Sequence, residues 1–310
     1  MQPAALRTLD RRSRSPSLAA KPNAARWRRH WYKHTIALTV GTGPFGPRPG
    51  GTFNFELPRT KGLIYVEDSP RRIRARLGGE TVVDSRHAKL LHEHGLLPIY
   101  YFPEDEVRMD LLSPGQKQTR CPYKGEARHW TVQAGGKVAE DAAWSYPRPI
   151  EGAPPLAGYV AFYWNKMDEW FEEDEPAFVH ARDPYHRVDV LPTSRHVRVS
   201  VNGKVVADSS RALALFETGL PTRWYFPRDD VRLDLLTPSD TRTGCAYKGF
   251  ASYWSVGEEE DLVWSYPEPR PEAGRITDRL AFFNERVDIE VDGEPQERPI
   301  TQWSRRRGRA

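Results

Sequence analysis

Apolar and charged positions alternate along Ile73, Arg74, Ala75, Arg76 and Leu77, the period of a half-buried β-strand. Gly78 and Gly79 follow, and then Thr81, Val82 and Val83, which predicts a hairpin. The same pattern returns at Val197, Arg198, Val199, Ser200 and Val201, with Asn202 and Gly203 as its turn and Val205 and Val206 beyond. Asp84 and Ser85, and Asp208 and Ser209, close the two hairpins. A short helical piece is expected at 88–93 and again at 212–217, stopped by Gly95 and Gly219. Further β-type runs, each bounded by Pro, Gly or Asp, are read at 100–103, 107–112, 128–132 and 143–147. On the second of these, Val107, Met109 and Leu111 are expected to face a core while Arg108 and Asp110 share the other face. The stretch 158–171 carries bulky residues at alternate places and reads equally as strand or helix. Many short strands at regular spacing predict antiparallel all-β domains with minor helix.

These elements occur twice. From Ile73/Val197 to Val132/Val256 the offset is constant at 124 without a gap, and nearly half the positions are identical. So long a period marks duplicated whole domains rather than a solenoid. The chain divides into an extension at 1–58, copy one at 61–172, a charged, proline-broken connector at 173–187, copy two at 188–294 and a tail at 295–310. With 310 residues, each copy is long enough to bury its own core.

The net charge of +4 is concentrated at the ends: Arg7, Arg11, Arg12, Arg14 and their neighbours begin the chain, and Arg305, Arg306, Arg307 and Arg309 end it. The repeats themselves are near neutral or acidic, so nucleic acid is expected as a partner only through the basic tails. Residues 1–58 are rich in Arg, Pro, Gly and Ser and are expected to be mostly disordered. No apolar run approaches a membrane span and the mean hydropathy is −0.69. No membrane partner and no export signal are read. Cys121 and Cys245 are the only cysteines and fall in separate copies, which suits a reducing cytoplasm. Oligomeric state is left open by the sequence.

Agreement between the copies filters the candidate chemistry. Gly41, Gly43 and Gly46 match a dinucleotide fingerprint, but Pro44, Pro47 and Pro49 oppose the helix it needs. His87, His92, His94 and His129 become Arg211, Phe216, Thr218 and Tyr253 in copy two, so no metal site and no cofactor is expected. Cys121 with Lys124, and Cys245 with Lys248, are candidates for a thiolate beside an ammonium. That chemistry requires the segment to turn, because on an extended strand Cys and Lys point to opposite faces; burial as a small hydrophobe is the ordinary fate of such a cysteine. Repeated aromatic residues, Tyr101/Tyr225, Trp130/Trp254, Trp144/Trp264 and Tyr146/Tyr266, are candidate walls of a pocket for a small-molecule ligand. Arg108/Arg232 or Lys124/Lys248 would anchor an anionic group there.

At 205–209 (Val-Val-Ala-Asp-Ser), 225–227 (Tyr-Phe-Pro), 230–236 (Asp-Val-Arg-Leu-Asp-Leu-Leu), 245–249 (Cys-x-Tyr-Lys-Gly), 253–256 (Tyr-Trp-Ser-Val) and 264–267 (Trp-Ser-Tyr-Pro), the chain resembles the DUF427 family, a group of unknown function. The resemblance covers both copies. It implies a compact β domain of the Mss4-like or β-tent type in each. Some labels of the family imply nucleotidyl transfer, for which no Gly-Ser followed by an Asp-x-Asp strand is visible. Relatives in shape carry paired Cys-x-x-Cys zinc knuckles, and both are missing from this sequence.

Overall fold

The structure is a computed structural model and describes residues 45, 50–55, 62–301, 303 and 304. Apart from 45 and 50–55, the expectation for residues 1–58 falls outside the described residues, as do most of the basic positions at both ends.

Copy one is built from β1 (Ile64–Asp68), β2 (Ile73–Leu77), β3 (Glu80–Ser85), β4 (Lys89–Glu93), β5 (Ile99–Pro103), β6 (Leu112–Cys121), β7 (Gly125–Ala134), β8 (Lys137–Ser145), β9 (Tyr159–Phe162), β10 (Glu169–Glu172) and β11 (Glu175–Ala177). Copy two repeats the series as β12 (Val188–Pro192), β13 (Val197–Val201), β14 (Lys204–Ser209), β15 (Leu213–Glu217), β16 (Arg223–Phe226), β17 (Leu236–Cys245), β18 (Gly249–Val256), β19 (Glu259–Ser265), β20 (Leu280–Phe282), β21 (Asp288–Val291) and β22 (Glu294–Pro295). Each copy folds into a seven-stranded and a four-stranded sheet, in the orders β1-β4-β5-β9-β8-β7-β6 with β11-β10-β2-β3, and β12-β15-β16-β20-β19-β18-β17 with β14-β13-β21-β22. All pairings within these sheets are antiparallel. The expected all-β tandem architecture is the one observed.

Two local expectations are corrected and one left open is decided. The stretches 88–93 and 212–217 are strands, β4 and β15, not helices. β4 is flanked by β1 and β5 and buried on both faces from Leu90 to Glu93, so it shows no alternation to separate a buried strand from a buried helix. The run 107–112 is not one strand. Val107 makes a single bridge to Val83, and Met109–Leu111 is a 3-10 turn that still points Met109 and Leu111 into the core. The undecided stretch 158–171 is resolved as β9 and β10 around a 3-10 turn at Trp164–Lys166.

Side-chain alternation gives each seven-stranded sheet two buried faces. On β5, Tyr100 and Phe102 point between the sheets, joining Ile73, Val82 and Phe162, while Tyr101 points to the outer face. On β16, Trp224 and Phe226 point inward and Tyr225 outward. The outer face is covered by the loop after β8, whose Leu156 is fully buried, and in copy two by the 3-10 turn Pro271–Ile276 through Ala273 and Ile276. An outer layer of this kind consumes apolar surface that a one-faced antiparallel sheet would leave to water.

The copies differ at one hairpin tip. Val132 faces Ala139 across β7 and β8, whereas Val256 faces Glu259 across β18 and β19, so the second tip is four residues shorter. In copy one the long tip meets the β2–β3 turn, with Gly135 N donating to Glu80 at 3.0 Å and Lys137 pairing with Asp168 at 2.8 Å. In copy two a cavity of about 280 Å³ opens there, between Val201, Val206, Leu235 and Val256.

Candidate functional site

The outer face of each seven-stranded sheet gathers one set of aromatic and titratable residues that the two copies share. β6 runs to Cys121, the chain turns through Pro122–Lys124, and β7 begins at Gly125, paired directly opposite Cys121. The turn is what lets Lys124 swing back beneath the outer face. Gly125 sits at φ +103° and Gly249 at φ +99°, conformations that side chains rarely adopt. A Cβ at Gly249 would lie 3.0 Å from the Glu268 carbonyl oxygen. The turn is then tied down when Ile150 N donates to the Lys124 carbonyl at 3.2 Å, and Arg270 N to that of Lys248 at 3.1 Å.

Lys124 is buried and its ammonium donates to Oε2 of Glu93 on β4; Lys248 does the same to Oε2 of Glu217 on β15. Lys124 also lies 5.8 Å from the centre of the Tyr146 ring. Around this pair stand Tyr101 and Trp144, edge to face at 6.1 Å, and in copy two Tyr225 and Trp264 at 6.2 Å. Cys121 and Cys245, both partly buried, pack against the same clusters.

Burial and charge act against each other here. Burial alone would push the Glu217 carboxyl up, but the Lys248 ammonium and a hydrogen bond from His186 outweigh it and hold the group at about 2. Burial works to lower Lys248, yet the neighbouring Cys245 and Glu217 raise it above its ordinary range. Tyr225 is pushed up to about 12 by burial, and Tyr146, Tyr266 and Tyr101 are also raised chiefly by burial. The tyrosines are therefore neutral hydrogen-bonding groups at any physiological pH.

Tyr101, Cys121, Lys124, Trp144 and Tyr146 thus come together, as do Tyr225, Cys245, Lys248, Trp264 and Tyr266. The remaining candidates lie elsewhere. Trp130 and Trp254 turn to the inter-sheet core, where Trp130 Nε1 reaches Ser145 Oγ at 3.3 Å and Arg228 lies 6.0 Å from the Trp254 ring. Arg108 and Arg232 are exposed on the 3-10 turns and are held bidentately by Asp110 at 2.8 and 2.6 Å and Asp234 at 2.9 and 2.7 Å. Sequence reasoning did not place Glu93 and Glu217 in the site. Their signal was a carboxylate kept by both copies at the same place.

The two sites differ in what borders them. In copy two, the side chain of His186 just ahead of β12 is 2% exposed and stacks on Tyr247 at 4.0 Å, with Nε2 3.0 Å from Oε1 of Glu217. The Tyr247 hydroxyl accepts from Asp183 N at 2.9 Å. In copy one Tyr123 is 36% exposed and its ring lies against Gly62.

Compared with protein families, the chain matches the model described as "Domain of unknown function (DUF427)" twice, over residues 65–173 and 189–293. Together the matches span more than two thirds of the chain. The protein belongs to the DUF427 family. It carries two DUF427 domains in tandem, each holding one copy of the cluster. Among curated proteins nothing matches.

Proposed function

We propose that this DUF427 protein is a small-ligand-binding module whose recognition site is the outer-face cluster of the first domain: Glu93, Tyr101, Tyr123, Lys124, Trp144 and Tyr146. One observation carries the reading. Both domains bury the same lysine–glutamate pair against the same aromatic wall. A buried ion pair is a poor way to stabilise a core, because apolar residues of similar volume do as well or better. Its presence in both copies, beside hydroxyl and indole groups, fits a site that must recognise something polar.

The anchor differs from the anionic one the sequence suggested. Arg108 is engaged by Asp110 on the exposed surface, and the Lys124 charge is already balanced by Glu93. A ligand without net negative charge suits that balance better than a carboxylate or phosphate does.

Two catalytic readings compete. In a thiol enzyme Cys121 would be the nucleophile with Lys124 near it, and it would be alkylated quickly in the native protein. Nucleotidyl transfer would need carboxylates to hold metal ions, and among the described residues no group of three or more carboxylate, thiol or imidazole side chains is placed to hold one. No helix among the described residues is long and apolar enough to cross a membrane. The site is tested by a thermal-shift screen of small metabolites against the native chain and Glu93→Gln. Binding to the folded state raises the melting temperature by mass action. The proposal expects at least one compound to stabilise the native chain and not the variant; equal shifts in both, or none, would refute it.

A further inference from the structure

We infer that the first site takes a planar nitrogen ring that donates a hydrogen bond, of the imidazole type, and that the second site is already filled by such a ring, His186 of its own chain. The inference rests on the ligand-site reading of the first domain and names the ligand class.

His186 and Gly62 hold equivalent places. His94 N donates to the Leu63 carbonyl at 3.0 Å, and 124 residues on Thr218 N donates to the Arg187 carbonyl at 3.0 Å, so the residues preceding Leu63 and Arg187 enter their domains alike. In the second domain the imidazole lies nearly parallel to Tyr247, 21° between planes, and its Nε2 donates to Oε1 of Glu217 while Lys248 occupies Oε2. Every feature of a small-ligand complex is there: a stacking ring, a charge-assisted hydrogen bond, and an occupant almost wholly removed from water.

The first domain keeps the receptor, and among the described residues no side chain stands where His186 stands in the second. Lys124 donates to Oε2 of Glu93, and Oε1 of Glu93 accepts no hydrogen bond among the described residues. The stacking partner is kept as Tyr123, and glycine stands where the imidazole would branch from the chain. A Cβ at Gly62 would lie 2.4 Å from Cε1 of Tyr123, so the tyrosine ring leans into space that a side chain would claim and must swing aside to stack on a ligand. Its 36% exposure leaves it room to do so. A neutral donor ring at Oε1 preserves the charge balance of the pair, whereas an anion would face the Glu93 carboxylate.

The test is calorimetric titration of 4-methylimidazole, the histidine side chain alone, into the full chain and its variants. We expect one molecule per native chain, two per chain for His186→Gly, and binding at least tenfold weaker for Glu93→Gln. Toluene, of similar shape without the donor, should not bind. A stoichiometry for His186→Gly no greater than the native one, or native binding unaffected by Glu93→Gln, overturns the inference. Where His186→Gly lacks a cooperative unfolding transition, His186→Ala is read in the same way. If 4-methylimidazole fails while the thermal-shift screen yields a different compound lost in Glu93→Gln, the ligand class is wrong and the site stands. If both fail, the site reading falls as well.

Discussion

Trp144 donates its indole proton to the hydroxyl of Tyr101 at 3.1 Å with the rings 86° apart, and Trp264 repeats the contact to Tyr225 at 3.0 Å and 87°. Two polar groups on a buried aromatic layer satisfy each other, which fixes both rings before anything else touches them. Trp264 is only 7% exposed and Tyr225 fully buried, so the wall of the site is also part of the fold.

Truncation should therefore be felt as stability. Trp264→Phe removes the donor of a buried hydroxyl and should cost about 1–2 kcal/mol in urea unfolding. Trp264→Ala also opens a cavity and should cost about 3–5 kcal/mol. A loss below about 0.5 kcal/mol for either would show that the contact carries no load.

Lys248→Met strands the Glu217 carboxylate in a buried place and should destabilise by about 3–5 kcal/mol. Adding Glu217→Gln removes the stranded charge. The double variant should recover more than half of the loss, and a double variant as unstable as the single one contradicts the pairing.

Acid should weaken the second domain through the same group. Glu217 is held at about 2, below its ordinary 4.5, so the native state binds fewer protons than the unfolded state between those values. Its contribution is complete above about pH 4.5 and disappears as the pH falls toward 2. Lys248, raised above its ordinary 10.5, contributes below that pH and loses its share as alkali is added beyond it. Stability followed against pH for the native chain and Glu217→Gln should show a shallower acid decline in the variant.

Gly249→Ala should cost about 1–3 kcal/mol, because φ is +99° and the new Cβ would press on the Glu268 carbonyl. Gly257→Ala, also at positive φ (+57°) but with open space around it, is the control for strain without the close approach. Equal losses at the two glycines would mean that the approach to Glu268 contributes nothing.

The sheets were legible in the sequence wherever alternation was clean, as at Ile73–Leu77 and Val197–Val201, because a period of two belongs to a strand alone. Lys89–Glu93 misled for a physical reason: a strand covered on both faces has no alternation left to read. The aromatic and Cys–Lys parts of the site were visible because both copies keep them. Glu93 escaped because its partner Lys124 is 31 residues away and is brought to it by the β6–β7 turn, a contact no local pattern announces. His186 escaped for the opposite reason, since copy one has glycine in its place and comparison of the copies discards whatever only one of them holds.

Native mass spectrometry of the full chain purified from the cells that make it, beside Glu93→Gln prepared in the same way, asks the central question directly. The account predicts one small organic molecule per native chain and none on the variant. A bare native chain, two molecules per chain, or an adduct that survives Glu93→Gln would contradict it.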